Sequence, residues 1–424
     1  MIPNNNPVVK EDNSQRNRLA LLLCMGWLGT NLGLAATDLP LKFLLKEQLH
    51  LNAAGVSAFF AIAIFTNYVK PIAGILTDSV PLFGTRRRWY LLLSLIVTGI
   101  GFLVLPGVPR TVNALMLTYA ILYAGVMFTS TTLGGTMVEI GMRYRNQGQL
   151  TAQRIGMFRL GSLIGGPIGG WLAAHAPFWA AMSVGSVLHL ILVPLFYVSI
   201  KEPHTSKFRG EIWVDAGAQL KSLSRNRTLL SAAGMIILIA ASPGFGTPLL
   251  FYQTDALHFK KEFIGLLGSI SAATGLLGSM LYFKLCKRVR LRKILLWSII
   301  IHALGTMFYL GYHDSTSAIW ITALSGITGT LAILPVYDLA SRGTPRGSEA
   351  LGYSVMMSVW NLTNSLSDWS GSILSSKFHY QLSHLVWLNA GTTILTLLVV
   401  PLLPAILMNS RDGGEAAATT LDDI

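Results

Sequence analysis

YVKPIAGILTDSVPLFGTRRRWY, residues 68–90, joins two apolar helices through a short loop that ends in three arginines. Lys and Arg gather on the cytoplasmic side of membrane proteins, so this loop marks which side faces the cytoplasm. Asp78 closes the first helix, and Arg86, Arg87 and Arg88 open the second. A carboxylate beside guanidinium groups at helix ends can form a latch that breaks when two helix bundles part. Plainer roles remain open: topology signals for the arginines, helix capping for Asp78.

Outward from that loop, composition excludes a water-soluble globule. Apolar residues make up 52% of the 424 residues and charged residues only 12%, about half the charge of a soluble chain. Runs of about 20 apolar residues predict membrane-spanning helices. Six lie in residues 19–200: 19–45, 53–76, 89–106, 112–139, 155–175 and 178–200. A polar cytoplasmic segment, 201–227, separates them from six more in 228–408: 228–252, 263–285, 294–311, 318–339, 350–374 and 383–408. The expected fold is all-α, with twelve transmembrane helices in two six-helix bundles, a cytoplasmic tail at 1–18 without a cleavable signal pattern, and a disordered cytoplasmic tail at 409–424.

The net charge of +13 would suggest nucleic acid in a soluble protein. Here 24 of the 32 basic residues fall in cytoplasmic segments, three lie within spans, and only Lys46, Arg110, Lys260, Lys261 and Lys377 fall on the outer side. That asymmetry puts both termini in the cytoplasm and excludes a nucleic-acid partner; the expected site is the cell (inner) membrane, as a monomer. Cys24 and Cys286 leave no disulfide framework or CxxC metal site. Walker, HExxH and GxSxG patterns are missing, which argues against an enzyme, a cofactor or a metal, and any pumping must draw on an ion gradient.

Gly74, Leu76, Asp78, Gly84 and Arg86 to Arg88 resemble the loop signature between helices 2 and 3 of the major facilitator superfamily, with three extra residues between Asp78 and Gly84. The KPxxG lead-in and the longer loop resemble the folate-biopterin transporter family. Residues 242–269 (SPGFGTPLLFYQTDALHFKKEFIGLLGS) and 344–371 (TPRGSEALGYSVMMSVWNLTNSLSDWSG) are similar to the same family. Departures are TSTTLGGTMVE at 129–139, where the family shows an acidic-flanked helix 4, and Thr344 in place of its usual cysteine. GSLIGGPIGG at 161–170 is similar to a glycine-proline motif of facilitator antiporters, or simply lets helices approach closely.

Charged residues inside spans are functional candidates by default. Asp38 and Lys42 lie four apart on one helix face as an ion pair, and Asn31, seven before Asp38, extends the stripe. Either they serve substrate or proton, or Lys42 snorkels outward and only neutralises Asp38. Lys70, with Asn67 a turn away, and Arg159 sit shallowly and either hold substrate carboxylates or snorkel to the cytoplasm. In span 11, Ser354, Ser358, Asn361, Ser365 and Asp368 form one polar stripe, with Trp360, Asn364 and Asp368 on an adjoining face. Such a stripe faces a wet cavity or another helix. Glu139 and Asp338, beside Arg143, Arg145 and Arg342, read as gate salt bridges, and Pro243, Gly244, Gly246 and Pro248 as a bend in span 7.

The resemblance implies the major facilitator fold and a secondary transporter working by alternating access, whose small-molecule substrate is a folate or pterin moved with protons through the bilayer. In that scheme Lys42, Lys70 and Arg159 meet carboxylates, with Asn31 and Asn67 nearby. Trp360, Asn361 and Asn364 meet the ring, and Asp38 or Asp368 carries the proton. Asp78, Arg86, Arg87, Arg88, Glu139, Arg143 and Asp338 gate. The alternatives are export of another small organic solute, or a non-transporting membrane assembly or pigment-delivery factor on the same scaffold.

Overall fold

The computed structural model describes residues 13–144, 147–200, 202, 210–342 and 349–403. The first half contains α1 (Asn13–Phe43), α2 (Ala53–Ala63), α3 (Lys70–Ser79), α4 (Arg88–Val104), α5 (Val112–Tyr144), α6 (Gln147–His175), α7 (Phe178–Leu190) and α8 (Leu192–Ser199). A connecting helix, α9 (Glu211–Leu223), follows. The second half contains α10 (Arg227–Ala240), α11 (Gly246–Phe251), α12 (Lys261–Arg288), α13 (Leu291–Met307), α14 (Ser315–Arg342), α15 (Glu349–Lys377) and α16 (Leu382–Leu395). Among the described residues there is no strand, only one bridge between Leu82 and Thr85.

Within the described residues each expected span overlaps a helix or a broken pair of helices, the last only as far as residue 403. Six are long and apolar enough to cross a membrane, and a seventh is α2 with the segment 65–79, bent by 45°. Pro71, near the start of α3, has no N–H to continue the ladder, and the Tyr68 hydroxyl donates to the Ala61 carbonyl in the last turn of α2 at 2.7 Å. Spans 3, 7 and 12 are shorter apolar helices. α6 and α15 are long but more polar, and the packing explains it.

α6 lies between α1 and α12, and its glycines serve both sides. A Cβ on Gly165 would stand 2.5 Å from the Ala35 Cβ, and one on Gly265 of α12 would stand 2.4 Å from the Gly166 carbonyl oxygen. The 161–170 motif is therefore used for close approach, within the first half and across to the second. α15 packs on α2 and α3 as well as α10, making the other seam between halves.

The loop quoted first closes tightly. Leu82 and Thr85 exchange backbone hydrogen bonds of 2.9 Å across Phe83 (φ 46°) and Gly84 (φ 80°), so the residues beyond the usual loop length make a primed two-residue turn. At the opposite end of the bundle, two helix ends repeat each other. Leu49 N bonds Leu44 O at 3.2 Å and Leu51 N bonds Leu45 O at 3.1 Å, across His50 at φ 51°. Leu257 N bonds Tyr252 O at 3.1 Å and Phe259 N bonds Gln253 O at 2.8 Å, across His258 at φ 52°. Both are widened forms of the left-handed helix stop. FLLKEQLH (43–50) and FYQTDALH (251–258) are thus a structural repeat, one per half.

Candidate functional site

A cavity of about 370 Å³ opens at the seam between the halves, walled by α1, α2, the break before α11, and α15. Lys42, Ser57 and Phe60 face it from the first half, and Thr247, Asn364 and Asp368 from the second. Lys42 Nζ donates to Asp38 Oδ2 at 2.7 Å and lies 5.6 Å from the Phe60 ring centroid. Helical spacing alone brings this pair together. Tyr119 and Tyr123 of α5 stand within electrostatic reach of Asp38.

The opposite wall depends on the broken span. Pro243 and Gly244 interrupt the ladder between α10 and α11, and the freed groups are taken up by neighbouring helices. Gly244 N donates to Ser367 O at 2.9 Å, Asn389 Nδ2 donates to Pro243 O at 2.9 Å, and the Ser367 hydroxyl donates to Ser242 O. Gly371 permits this approach: a Cβ there would lie 1.7 Å from the Gly244 carbonyl oxygen. Asp368 then accepts from Thr247 N at 2.9 Å and from the Thr247 hydroxyl at 2.6 Å. Each carboxylate oxygen thus accepts one bond, and an ionised carboxylate has about four lone-pair sites, so acceptor capacity remains on both.

Other sequence candidates lie off the cavity. Asn31 is buried and donates to Phe158 O at 2.6 Å and Ser162 Oγ at 3.2 Å, tying α1 to α6. Asn67 lies beside the Tyr123 side chain. Lys70 Nζ donates to Ser130 Oγ on α5 at 3.4 Å. Arg159 crosses between halves, its Nη2 donating to Thr330 Oγ1 at 2.8 Å, with room made by Gly275. Trp360 meets the edge of Tyr337 at 5.6 Å, and Asn361 sits on the same helix two turns from Asp368.

The arginine cluster is internal to the first half. Asp78 accepts from Arg86 at 3.2 Å and Arg87 at 2.9 Å, and Arg87 also pairs with Glu139. Gly135 leaves room for that guanidinium: a Cβ would stand 3.2 Å from it. Glu202, which the sequence reading missed, accepts from Arg87 N at 3.0 Å and Arg88 N at 2.9 Å. Among the described residues, every ion-pair partner of the cluster belongs to the first half. Asp338 accepts from the Tyr282 hydroxyl at 3.1 Å; the side chain of Arg143 lies outside the described residues.

Among the described residues, the ion pairs that join the halves are at the opposite end. Lys46 pairs with Asp255 and lies 4.7 Å from the Phe251 ring centroid. Lys261 pairs with Glu47 at 2.6 Å and lies 4.5 Å from the Phe43 ring centroid. Phe43 and Phe251, and Glu47 and Asp255, are equivalent positions of the repeat, so each half supplies a lysine to the other's phenylalanine and carboxylate. His175 meets Glu262 at 2.8 Å alongside. The cavity lies beneath this latch, Lys42 being one turn before Lys46.

Comparison with known proteins gives one family over most of the chain. A model of the BT1 family matches residues 29–420. The folate-biopterin transporter of Synechocystis sp. (strain ATCC 27184 / PCC 6803 / Kazusa) is 28% identical over 393 residues, covering 88% of this chain and 79% of its own length. Folate transporter 1 of Plasmodium falciparum (isolate 3D7) is 23% identical over 357 residues, covering 80% and 69%. Among solved structures, the nucleoside transporter NupG superposes with a TM-score of 0.67, 16% identity and coverage of 92% and 98%. A POT family transporter in complex with a thioalcohol-conjugated peptide superposes with a TM-score of 0.70, 15% identity and coverage of 90% and 95%. At those identities the likeness is one of fold.

Proposed function

The chain belongs to the BT1 family, and from that membership we propose that it carries a folate or pterin across the membrane by alternating access. It is a multi-pass membrane protein of a transporter family with the major facilitator fold, not an enzyme. The observation that carries the reading is the cavity at the seam, with the Asp38–Lys42 pair on one half and Asp368 on the other. A solute held there touches both halves, so its binding energy differs between arrangements of the halves.

In this reading the latched end is the outer end, the arginine end is cytoplasmic, and the chain spans twelve times in the cell membrane as a monomer. Asp38 and Asp368 are the proton-coupling carboxylates. A proton on Asp38 releases Lys42, and a proton on Asp368 removes an acceptor from the start of α11. Lys42, Asn364 and Ser365 contact the solute. Arg159 guards the path between the halves through Thr330, and Lys70 and Asn67 line the approach from the cytoplasm. The arginine cluster keeps the first half rigid during rocking.

The experiment is uptake of labelled folate and a reduced pterin into vesicles carrying the protein, with and without an imposed proton gradient. Gradient-driven accumulation is expected, and Asp38→Asn or Asp368→Asn should abolish uphill uptake, with exchange persisting in Asp38→Asn. Correctly inserted protein that takes up neither compound would refute the substrate assignment, and unchanged uphill uptake in both variants would refute the coupling roles.

A further inference from the structure

We infer that the cavity is a head-group subsite: it takes the uncharged amino-oxo ring of a pterin through Asp368 and Asn364, and not the carboxylate tail of a folate. This rests on the folate or pterin reading above and assigns the part of the solute that the cavity holds.

Charge is the first ground. Among the described residues lining the cavity Lys42 is the sole cation, and it is engaged at 2.7 Å by Asp38 and lies against the Phe60 ring. The other intramembrane cations point elsewhere, Lys70 to Ser130 and Arg159 to Thr330. Asp368 brings a carboxylate to the same space. An anionic tail entering it would meet more acid than free base, with desolvation to overcome as well.

Donor and acceptor matching is the second ground. The 2-amino group and adjacent ring N–H of a 2-amino-4-oxopteridine are two parallel donors, the pattern by which a guanidinium fork meets a carboxylate. Asp368 has acceptor capacity left on both oxygens after its bonds to Thr247. Asn364 is four residues earlier on the same face, and its amide can donate to ring acceptors. Phe60, Ala61 and Gly244 supply flat apolar wall between these groups. A cavity of about 370 Å³ admits a bicyclic ring, within the usual range for small-molecule sites.

The test is thermal stabilisation of the purified full chain by four probes: folate, pterin, lumazine (which has an oxo group where pterin has the 2-amino group) and 4-aminobenzoylglutamate, the tail alone. Pterin and folate should stabilise, while lumazine and the tail fragment should bind at least tenfold more weakly. Asp368→Asn should abolish the preference for pterin over lumazine. Asn364→Ala, at an exposed position, should weaken pterin at least fivefold without loss of folded protein, which covers the case that Asp368→Asn fails to fold. Stabilisation by the tail fragment equal to that by pterin, equal binding of lumazine and pterin, or an unchanged pterin affinity in Asn364→Ala would each overturn the inference. Stabilisation by folate but not pterin would overturn it while leaving the transport reading intact. No response to any probe would remove both.

Discussion

Removing the two lysines of the latch should open that end of the protein. Lys46 and Lys261 each make one ion pair and one cation–π contact across the seam. Their carboxylate partners are half exposed or more, Asp255 at 60% and Glu47 at 50%, so each ion pair is given only the surface value of about 0.5 kcal/mol. A cation–π contact at such a site contributes about 0.5–1 kcal/mol. Each lysine then holds about 1–1.5 kcal/mol of the closed end. The double variant Lys46→Ala/Lys261→Ala loses about 2–3 kcal/mol if the sites are independent. A shift of that size changes a two-state ratio on the order of 100-fold. The assay is a spin-label distance between Gly107→Cys and Gly311→Cys, after replacing the native Cys24 and Cys286. Gly107 lies in a turn and Gly311 ends a 3₁₀ turn, both at the latched end, and a Cβ meets only the Val104 carbonyl at 3.4 Å in the first and nothing within 4 Å in the second. The distribution should gain a long-distance population in the double variant, with smaller gains in each single one. An unchanged distribution would refute the reasoning, since it would mean that the apolar and glycine seams alone hold the end shut.

Gly371→Ala should cost about 3 kcal/mol or more, because the new Cβ meets a backbone oxygen that cannot swing away; recovery of monodisperse protein should collapse, whereas Gly268→Ala, which meets nothing within 4 Å, should be tolerated. Glu202→Ala should cost about 1–2 kcal/mol by stranding the Arg87 and Arg88 amides, read as a lower melting temperature. Asp314 caps α14: the Ser317 amide donates to its Oδ1 at 2.7 Å and, with the Ser317 side chain beside it, holds the carboxyl below the usual range. A depressed folded value means that this stability is present above the ordinary Asp pKa and lost as pH falls through the folded one. Asp314→Ala should therefore melt lower than the parent at neutral pH, and the gap should close below about pH 4; a gap that persists there would show that charge is not the cause.

Local periodicity made much of the site legible. Asp38 with Lys42, and Asn364 with Asp368, are four residues apart, and a helix must put such pairs on one face. Proline and glycine in SPGFG foretold the break in span 7, because a missing N–H weakens the ladder; the break in span 2 before KPIAG was not read, and α1, α6 and α14 run on through Pro40, Pro167 and Pro335. Partners far apart in sequence were not legible. Nothing in Glu202 announces that it receives the amides of Arg87 and Arg88, and Thr247 carries no mark of its bonds to Asp368. The arginine loop read as a gate between halves, yet its ion-pair partners are in the first half. The repeat of 43–50 at 251–258 was available in the chain, but only the reciprocal contacts give it meaning.

The sequence by itself determined that this is an all-helical membrane protein of one family, because apolar run length, charge asymmetry and local motifs act over a few turns of helix. The tertiary structure decided which polar groups share the cavity and which end is latched. Those facts depend on how two halves, separated by some 200 residues of chain, pack along α6–α12 and α2–α15, and close packing at glycine seams answers to shapes on both sides at once.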